Sequence, residues 1–409
     1  MSGIIIIGSG HGGVQAAASL REEGYAGAIT LIGSDPELPY HKPPLSKAYL
    51  KSEDAQLQLL RGEAFYADNA ITLKTGQTVD AIDGAAKTVR LADGSSLGFE
   101  ALILATGARP RMLTCPGHEL AGIHTLREAH DAAALRHEMG PAQDIVVIGG
   151  GFIGLEAAAT FAAAGKRVTV VEMAHRVLGR AVSAEVSRHM AGYLEGLGIT
   201  IMTQTGITEL TGSAGRVTGA VLSTGAAIKA DMVIVGIGAM PETALAEAAG
   251  IACENGIKVD AGMRTSLPDI YAIGDCVSFP HKASGRRLRL ESVQNATDQA
   301  RHAAKVITGK DGDYDTVAWF WSDQGERKLQ MAGLSFDADR FLVTGDPSAG
   351  SFSVWHFAGP KLIAVDSVNK PADHMMSRRI LAAGFTPTDA DIQAGAPGLK
   401  AALAAFEAG

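Results

Sequence analysis

The sequence contains few cysteines. Its three thiols are Cys115, Cys253 and Cys276, and no two of them have C-x-x-C or C-x4-C spacing. The sequence therefore predicts neither a disulfide framework nor a dithiol redox centre. Three thiols also cannot ligate an all-cysteine iron–sulfur cluster, which takes four. We expect all three to be small buried or half-buried residues.

Long apolar runs and an excess of basic residues are also missing. The opening Ile4–Ile7 is too short for a signal peptide and has no basic flank. No apolar run approaches the ~20 residues of a membrane helix. The formal net charge of −8 disfavours nucleic acid and anionic membranes as partners. The 12 histidines show no paired ligand spacing. We expect a cytoplasmic protein without a metal site.

Glycine, in contrast, is abundant, with 49 residues. Gly8, Gly10 and Gly13 form the pattern G-x-G-x-x-G between the apolar run Ile4–Ile7 and an alanine-rich helix predicted over Val14–Glu23. The first glycine permits a tight turn, the second lets the backbone approach a pyrophosphate, and the third lets the helix pack on the strand. The unpaired N–H groups at the helix start then hold the diphosphate.

A second glycine turn follows in the same context. Gly149, Gly151 and Gly154 lie between a strand and a helix, and another strand, Arg167–Glu172, comes next. One such turn is weak evidence, but two in strand–turn–helix–strand settings predict two dinucleotide-binding domains. The expected pair is a tightly held flavin and an exchangeable nicotinamide.

An acidic residue after the second strand of each unit should bind a ribose. In the second unit this residue is Glu172, whose charge accepts ribose hydroxyls and repels a 2′-phosphate, so NADH is favoured over NADPH. Arg176 and Arg180 lie nearby and weaken that preference. In the first unit the strand ends LIGSD, and the candidates are Ser34 and Asp35.

Six segments resemble one known family. They are PYHKPPLSKAYL (39–50), ILATGARPR (103–111), VVIGGGFIGLEAAA (146–159), IYAIGDC (270–276), LESVQNATDQAR (290–301) and WFWSDQ (319–324). In this order they are similar to the FAD-dependent, NADH-using ferredoxin reductases of putidaredoxin-reductase-like type, which serve cytochrome P450 and aromatic dioxygenase systems. The resemblance implies a glutathione-reductase-like fold.

The fold we predict is α/β, with two Rossmann-like dinucleotide-binding domains and a C-terminal α+β domain. The three tryptophans and alternating strands such as Phe352–Phe357 and Leu362–Asp366 place the last domain at the end of the chain. The predicted boundaries are 1–109 and 237–316 for the two parts of the FAD-binding domain, 110–236 for the NAD-binding domain and 317–409 for the C-terminal domain.

The resemblance also implies individual contacts. FAD would lie on the first glycine turn with Gly12 at its pyrophosphate, Asp275 at its ribityl chain and the backbone of Val293 at the N3/O2 edge. The further residues implied at the flavin nucleotide are Gly8, Gly10, Gly13, Ser34 or Asp35, Lys42, Lys47, Val79, Arg127 and Trp321. NADH would contact Gly149, Gly151, Gly154 and Glu172. The sequence departs from the family at Ser34, Lys42 and Gly325, where Asp, Arg and an aromatic residue are usual.

Two residues are the catalytic candidates. In the family the lysine of PPLSK points at flavin N5 and pairs with the glutamate of GLE; here these are Lys47 and Glu156. Such a pair would keep both groups charged and position the nicotinamide.

The electron acceptor has to be a separate protein, because the chain has too few cysteines for a cluster of its own. The resemblance implies a [2Fe–2S] ferredoxin that serves a P450, or alternatively a dioxygenase. Rubredoxin reductase and the flavin module of a nitrite reductase system remain alternatives. Docking would need a local basic patch, for which Arg286, Arg287 and Arg289 are candidates, with Lys47, Arg327 and Lys328 as additional members. We expect a monomer.

Other reductases of this fold are disfavoured. Disulfide reductases need a paired dithiol, and NADH peroxidases and coenzyme A–disulfide reductases need a cysteine near PPLSK, where Tyr40–Leu50 has none. A binding or signalling role of the apoptosis-inducing-factor type would call for a targeting segment and a basic surface, which the sequence does not show.

Overall fold

The computed structural model of the chain describes residues 3–52, 54–310 and 312–408. Its backbone contacts divide it into two compact units. Unit 1 contains Met1–His41, Leu57–Arg109 and Ala239–Thr316; unit 2 contains Lys42–Gln56, Pro110–Gly238 and Val317–Gly409. None of the helices in the described part of the chain has the length and apolar character needed to cross a membrane.

Strands and helices alternate around the two glycine turns, and runs of consecutive strands make up much of the rest of the described chain. The strands are β1 (Gly3–Ile7), β2 (Ile29–Ile32), β3 (Ile71–Lys74), β4 (Val79–Asp83), β5 (Thr88–Leu91), β6 (Ser96–Leu104), β7 (Ala108–Pro110), β8 (Ile123–His124), β9 (Asp144–Ile148), β10 (Arg167–Val171), β11 (Thr200–Met202), β12 (Ile207–Ser213), β13 (Arg216–Leu222), β14 (Ala227–Lys229), β15 (Met232–Val235), β16 (Ala239–Pro241), β17 (Ile257–Lys258), β18 (Ile270–Ala272), β19 (Val277–His281), β20 (Arg286–Leu288), β21 (Trp319–Gln324), β22 (Arg327–Gly333), β23 (Arg340–Asp346), β24 (Ser351–Ala358) and β25 (Lys361–Val368).

The helices are α1 (His11–Glu22), α2 (Ala48–Lys51), α3 (Glu63–Asp68), α4 (Ala129–Met139), α5 (Phe152–Ala163), α6 (Ala184–Gly196), α7 (Ala244–Ala248), α8 (Val293–Ile307), α9 (Pro371–Ala382), α10 (Asp389–Gln393) and α11 (Gly395–Ala408). Short 3-10 turns occur at Pro43–Ser46 and Gly274–Cys276.

Unit 1 is built on a parallel arrangement of β3, β2, β1, β6 and β18, to which β5 and β4 add antiparallel pairings. All five residues of β1 are buried, as expected for a parallel strand covered on both faces. α1 begins at His11, three residues before the predicted start, because Gly12 and Gly13 are accommodated in its buried first turn. Strand β18 comes from late in the chain, so Ala239–Thr316 completes the sheet that the earlier parts of unit 1 begin.

Unit 2 repeats this plan. Its first sheet is parallel, in the order β11-β10-β9-β15-β8, and α5 follows β9 as α1 follows β1. A three-stranded antiparallel sheet, β12-β13-β14, is attached to the same core through Leu210, Val217 and Ala220.

The end of the chain forms an antiparallel sheet in the order β21-β22-β25-β24-β23, with α9, α10 and α11 following it. Trp355, Phe357 and Val365 are fully buried between this sheet and the helices. The predicted strands Phe352–Phe357 and Leu362–Asp366 are confirmed within β24 and β25, and the predicted α/β class with an added α+β part is confirmed as well. The four predicted domain boundaries stay a prediction.

Candidate functional site

The first glycine turn has two glycines that the protein itself requires. Gly8 has a φ of +110°, and a Cβ added there would lie 2.1 Å from the carbonyl oxygen of Ala105. A Cβ on Gly13 would lie 1.8 Å from the carbonyl oxygen of Gly8, because α1 passes closely over the end of β1. Gly10 is different, since a Cβ there would have no neighbour within 4 Å among the described residues, and its φ of −75° suits any amino acid. The space beside Gly10 is therefore left open.

The second glycine turn has the same distribution. A Cβ on Gly149 would lie 2.4 Å from the carbonyl oxygen of Gly236, and one on Gly154 would lie 2.4 Å from that of Gly149. A Cβ on Gly151 would meet its nearest described atom only at 4.0 Å. In both turns the first and last glycines serve packing, while the middle one keeps the helix start accessible. This is the cradle that a dinucleotide pyrophosphate requires, and the residues present fit such a group.

Glu172 lies next to the second turn. Its Oε2 accepts the N–H of Gly150 at 2.6 Å, and its Oε1 accepts that of Ala174 at 2.7 Å. Both oxygens are thus fixed by backbone donors. The guanidinium of Arg176 donates to the carbonyl oxygens of its own loop, whereas Arg180 is exposed. The carboxylate beside the turn is therefore held in place by the backbone.

A buried ion pair joins Lys47 and Glu156 in unit 2. Nζ of Lys47 lies 3.0 Å from Oε1 of Glu156, with the side chains 19% and 6% exposed. The hydroxyl of Ser46 donates to Oε2 at 2.7 Å, and that of Ser322 donates to Oε1 at 2.6 Å. The backbone N–H of Asp323 adds a longer bond to Oε1 at 3.3 Å, and its carboxylate lies 4.0 Å from Lys47.

The contact between Lys47 and Glu156 that the resemblance implied is thus present, and their roles stay a prediction. Four donors converge on one buried carboxylate, as a buried charge requires. The two hydroxyl donors were missed by sequence reasoning. The signal was within reach, because Ser46 and Ser322 stand inside PPLSK and FWSDQ, the motifs that carry the resemblance.

Several residues implied at the FAD meet in unit 1. Helix α8 packs against both the glycine turn and the turn that holds Asp275, since a Cβ on Gly12 or Gly274 would make ordinary contact with Ala296 of α8 at 3.5–3.7 Å. Val293 is the first residue of α8, and the side chain of its preceding Ser292 accepts the N–H of Asn295. Because Val293 lies in the first turn, its N–H has no acceptor within the helix and is available to a ligand.

Val79 begins β4 and is buried in the core of unit 1. Of the two ribose candidates, Asp35 accepts the N–H of Glu37 at 3.0 Å and the hydroxyl of Tyr40 at 2.7 Å, so its carboxylate stabilises its own loop. Ser34 is exposed.

Lys42, Arg127 and Trp321 belong to unit 2. Nζ of Lys42 lies 2.5 Å from Glu128, the residue that caps α4, so the ammonium already has an anionic partner. The N–H of Arg127 donates to Asp131 at 2.9 Å. Trp321 is half-buried on β21, and its ring centroid lies 5.6 Å from that of Trp319.

The chain has three cysteines. All three are free thiols. Cys276 is fully buried, its thiol donates to the carbonyl oxygen of Ile273, and burial raises its pKa. A protonated, inaccessible thiol is a poor nucleophile. Among the described residues, no three His, Cys, Asp or Glu side chains are grouped so that they could hold a metal ion.

The arginines predicted to form a docking patch differ from one another. Arg286 is exposed. The guanidinium of Arg287 donates to the carbonyl oxygens of Val259 and Ser278, and Arg289 is only 13% exposed. Docking through these arginines stays a prediction.

Two family models match the chain. Residues 2–300 match the pyridine nucleotide-disulphide oxidoreductase family, and residues 319–403 match the reductase C-terminal family.

Curated relatives and solved structures agree with this. Rhodocoxin reductase of Rhodococcus erythropolis is 46% identical over 93% of this chain and 89% of its own. The rubredoxin-NAD(+) reductase of Pseudomonas putida is 40% identical over 90% of this chain and 96% of its own. The anthranilate 1,2-dioxygenase system ferredoxin–NAD(+) reductase component of Burkholderia cepacia is 38% identical over 98% of both chains.

Two crystal structures superpose closely. The ferredoxin reductase for the CYP199A2 system from Rhodopseudomonas palustris gives a TM-score of 0.95 at 42% identity, covering 98% of this chain and 100% of that one. The covalent putidaredoxin reductase–putidaredoxin complex gives a TM-score of 0.94 at 38% identity, covering 100% of this chain and 99% of that one. The predicted resemblance is confirmed, and so is the expectation of an oxidoreductase. The chain therefore belongs to the pyridine nucleotide-disulphide oxidoreductase family, in its ferredoxin reductase branch, whose members work with FAD and a nicotinamide coenzyme.

Proposed function

We propose that this protein takes a hydride from NADH and passes the electrons, through FAD, to a separate [2Fe–2S] ferredoxin that serves a cytochrome P450. The observation that carries the proposal is the Lys47–Glu156 ion pair at 3.0 Å, in which the lysine of PPLSK meets the buried glutamate of α5. An ion pair occupies the segment in which thiol-dependent relatives need a cysteine. FAD, when bound, supplies the conversion of a two-electron hydride into two one-electron transfers.

The chain's own groups support each part of this function. The open space at Gly10 and the N–H of Val293 offer backbone donors to the flavin nucleotide. Ser34 is the better ribose contact in unit 1, because the carboxylate of Asp35 is engaged by Glu37 and Tyr40. Lys47 supplies a positive charge, which favours the anionic form of a reduced cofactor, and Glu156 holds that ammonium in place.

NADH is the proposed electron donor. The fixed carboxylate of Glu172 accepts ribose hydroxyls without reorganisation, and it repels a 2′-phosphate. The guanidinium of Arg176 is directed to carbonyl oxygens of its own loop, and Arg180 is the exposed basic residue nearby.

The nature of the acceptor rests on the resemblance and the relatives. Redoxin reductases and a putidaredoxin complex are similar to this chain over nearly its whole length. Relatives named rubredoxin reductase and dioxygenase ferredoxin reductase match nearly as well, so these acceptors are the alternatives. The cytoplasmic location, the monomeric state and docking through a patch that includes Arg286 also belong to the proposal.

The test is an anaerobic rapid-mixing experiment on the purified holoprotein. The protein is reduced with one equivalent of NADH and then mixed separately with a [2Fe–2S] ferredoxin, a rubredoxin and an oxidised dithiol. We expect fast reoxidation by the ferredoxin alone. Reoxidation by the rubredoxin or the dithiol, with the ferredoxin left oxidised, would show that the proposed acceptor is wrong.

A further inference from the structure

Arg289 lies between the two segments of unit 1 that the resemblance assigns to the flavin. Strand β19 starts directly after the turn Gly274–Cys276 and pairs with β20, with Phe279 opposite Leu288. The antiparallel hairpin therefore carries the chain back to the turn that holds Asp275. Arg289 follows β20 immediately, and Val293 begins α8 four residues later.

The guanidinium of Arg289 bonds to both segments. Its Nη1 donates to the carbonyl oxygen of Asp275 at 3.3 Å and to the carboxylate of Glu291, and its Nε donates to the side-chain oxygen of Asn255 at 3.4 Å. A planar guanidinium can serve several acceptors in fixed directions, which an ammonium cannot do. The charged bond to Glu291 is the strongest of the three, and it anchors the fork over the turn.

Enclosure separates this residue from its neighbours. The Arg289 side chain is 13% exposed, whereas Arg286 is exposed. Arg287 also bonds to main-chain oxygens in the same hairpin, but its acceptors are Val259 and Ser278 rather than the turn or the start of α8.

We propose that Arg289 is a positioning residue for FAD: it holds the Asp275 turn and the segment from Glu291 to Val293 at the spacing that the cofactor needs. The proposal rests on the proposed function and deepens it, because it assigns Arg289 to cofactor retention rather than to ferredoxin docking. Groups held before binding reduce the cost of ordering them when the ligand arrives.

The experiment measures FAD binding to the full-length apoprotein by titration, with no electron acceptor present. Arg289→Ala should raise the FAD dissociation constant about 10- to 100-fold, because the two segments then have to be ordered when FAD binds instead of being held in place beforehand. Arg289→Lys should recover part of the affinity. Arg287→Ala is the matched control, because it removes two main-chain bonds from the same hairpin, and it should change the constant less than about threefold.

A double-mutant cycle separates positioning from general loosening. In an Asp275→Ala background, Arg289→Ala should add much less than it does in the wild type, because the group to be positioned is already gone. Where Arg289→Ala does not fold, Arg289→Lys and Glu291→Gln carry the same comparison.

Three results would overturn the proposal. One is wild-type FAD affinity in Arg289→Ala together with a loss of ferredoxin reduction, which would make the residue a docking residue. Another is an equal loss of affinity in Arg287→Ala. The third is full additivity with Asp275→Ala. A failure of the proposed acceptor leaves the titration unaffected, whereas a wild-type chain that binds no FAD would overturn both proposals.

Discussion

Replacing Glu156 by glutamine should isolate the charge of the Lys47 pair. The oxygen of the amide can keep the position of Oε1, where it still accepts from Ser322, the N–H of Asp323 and Lys47. The NH2 group then faces Ser46, whose hydroxyl turns from donor to acceptor. The substitution changes the charge of the site without leaving a buried donor unpaired.

The size of the effect follows from the geometry. Two unit charges 3.0 Å apart attract by about 5–6 kcal/mol at an effective dielectric constant of about 20. Desolvation of the buried carboxylate offsets most of this attraction. Asp323, 4.0 Å from Lys47, also keeps an anion near the ammonium. Glu156→Gln should therefore remove about 1.4–2.8 kcal/mol of net electrostatic stabilisation of the Lys47 ammonium. If the pair acts in hydride transfer, this loss lowers the rate about 10- to 100-fold.

The assay is single-turnover reduction of the holoprotein by NADH, followed as bleaching of the flavin absorbance. Glu156→Gln should lower the limiting rate and leave the apparent NADH affinity within about threefold, because the pair is assigned to the reaction and not to nucleotide binding. Glu195 is exposed on α6, and Glu195→Gln is the control for the loss of one carboxylate. A limiting rate within twofold of the wild type, or a change confined to NADH affinity, would refute the reasoning.

Three further predictions can be checked with the same protein. Glu172→Gln should narrow the preference of kcat/KM for NADH over NADPH about tenfold, since a repulsion of ~1–4 kcal/mol with the 2′-phosphate is removed. The substitution should also weaken NADH binding, because one of the two backbone N–H groups that hold the carboxylate, those of Gly150 and Ala174, loses its acceptor. An unchanged ratio of kcat/KM for NADH and NADPH would contradict the assignment. Gly10→Ala should keep the Tm of the apoprotein but weaken FAD binding about tenfold. Gly13→Ala should lower the Tm, because the added Cβ would collide with a backbone oxygen. Equal losses of Tm in calorimetry would show that Gly10 is also a packing residue. Arg286→Glu should slow ferredoxin reduction several-fold and spare ferricyanide reduction by NADH, most clearly at low salt; equal losses of both activities would exclude a docking role.

Much of the architecture could be predicted because its signals are local. The apolar strand, the glycines and the alanine-rich helix of each βαβ unit lie within about thirty consecutive residues, and burial and turn geometry act on neighbours in the chain. The same holds for β24 and β25, whose alternation showed their extent to within one or two residues. The start of α1 was predicted too late, because glycine disfavours helix interiors in general but is required here by close packing.

The candidate site was predicted only as far as motifs reach. Glu156 and Lys47 could be paired through the family resemblance. The hydroxyls that complete the carboxylate's shell come from Ser46 and Ser322, which are 110 and 166 residues away along the chain. The motifs PPLSK and FWSDQ single out both serines, but their shared partner is set by how α5 and β21 pack, which the local sequence does not show.

The sequence by itself determined the two glycine turns, the lack of a dithiol and the acidic residue at the end of β10. Each of these depends on residue type and short spacing, which persist in any packing of the chain. The tertiary structure decided which glycines are structural and which leave space, that Arg289 is enclosed, and that Arg176 is bonded within its own loop. Those outcomes depend on strand register and on the packing of side chains from distant segments, where displacements of an ångström decide whether a hydrogen bond forms.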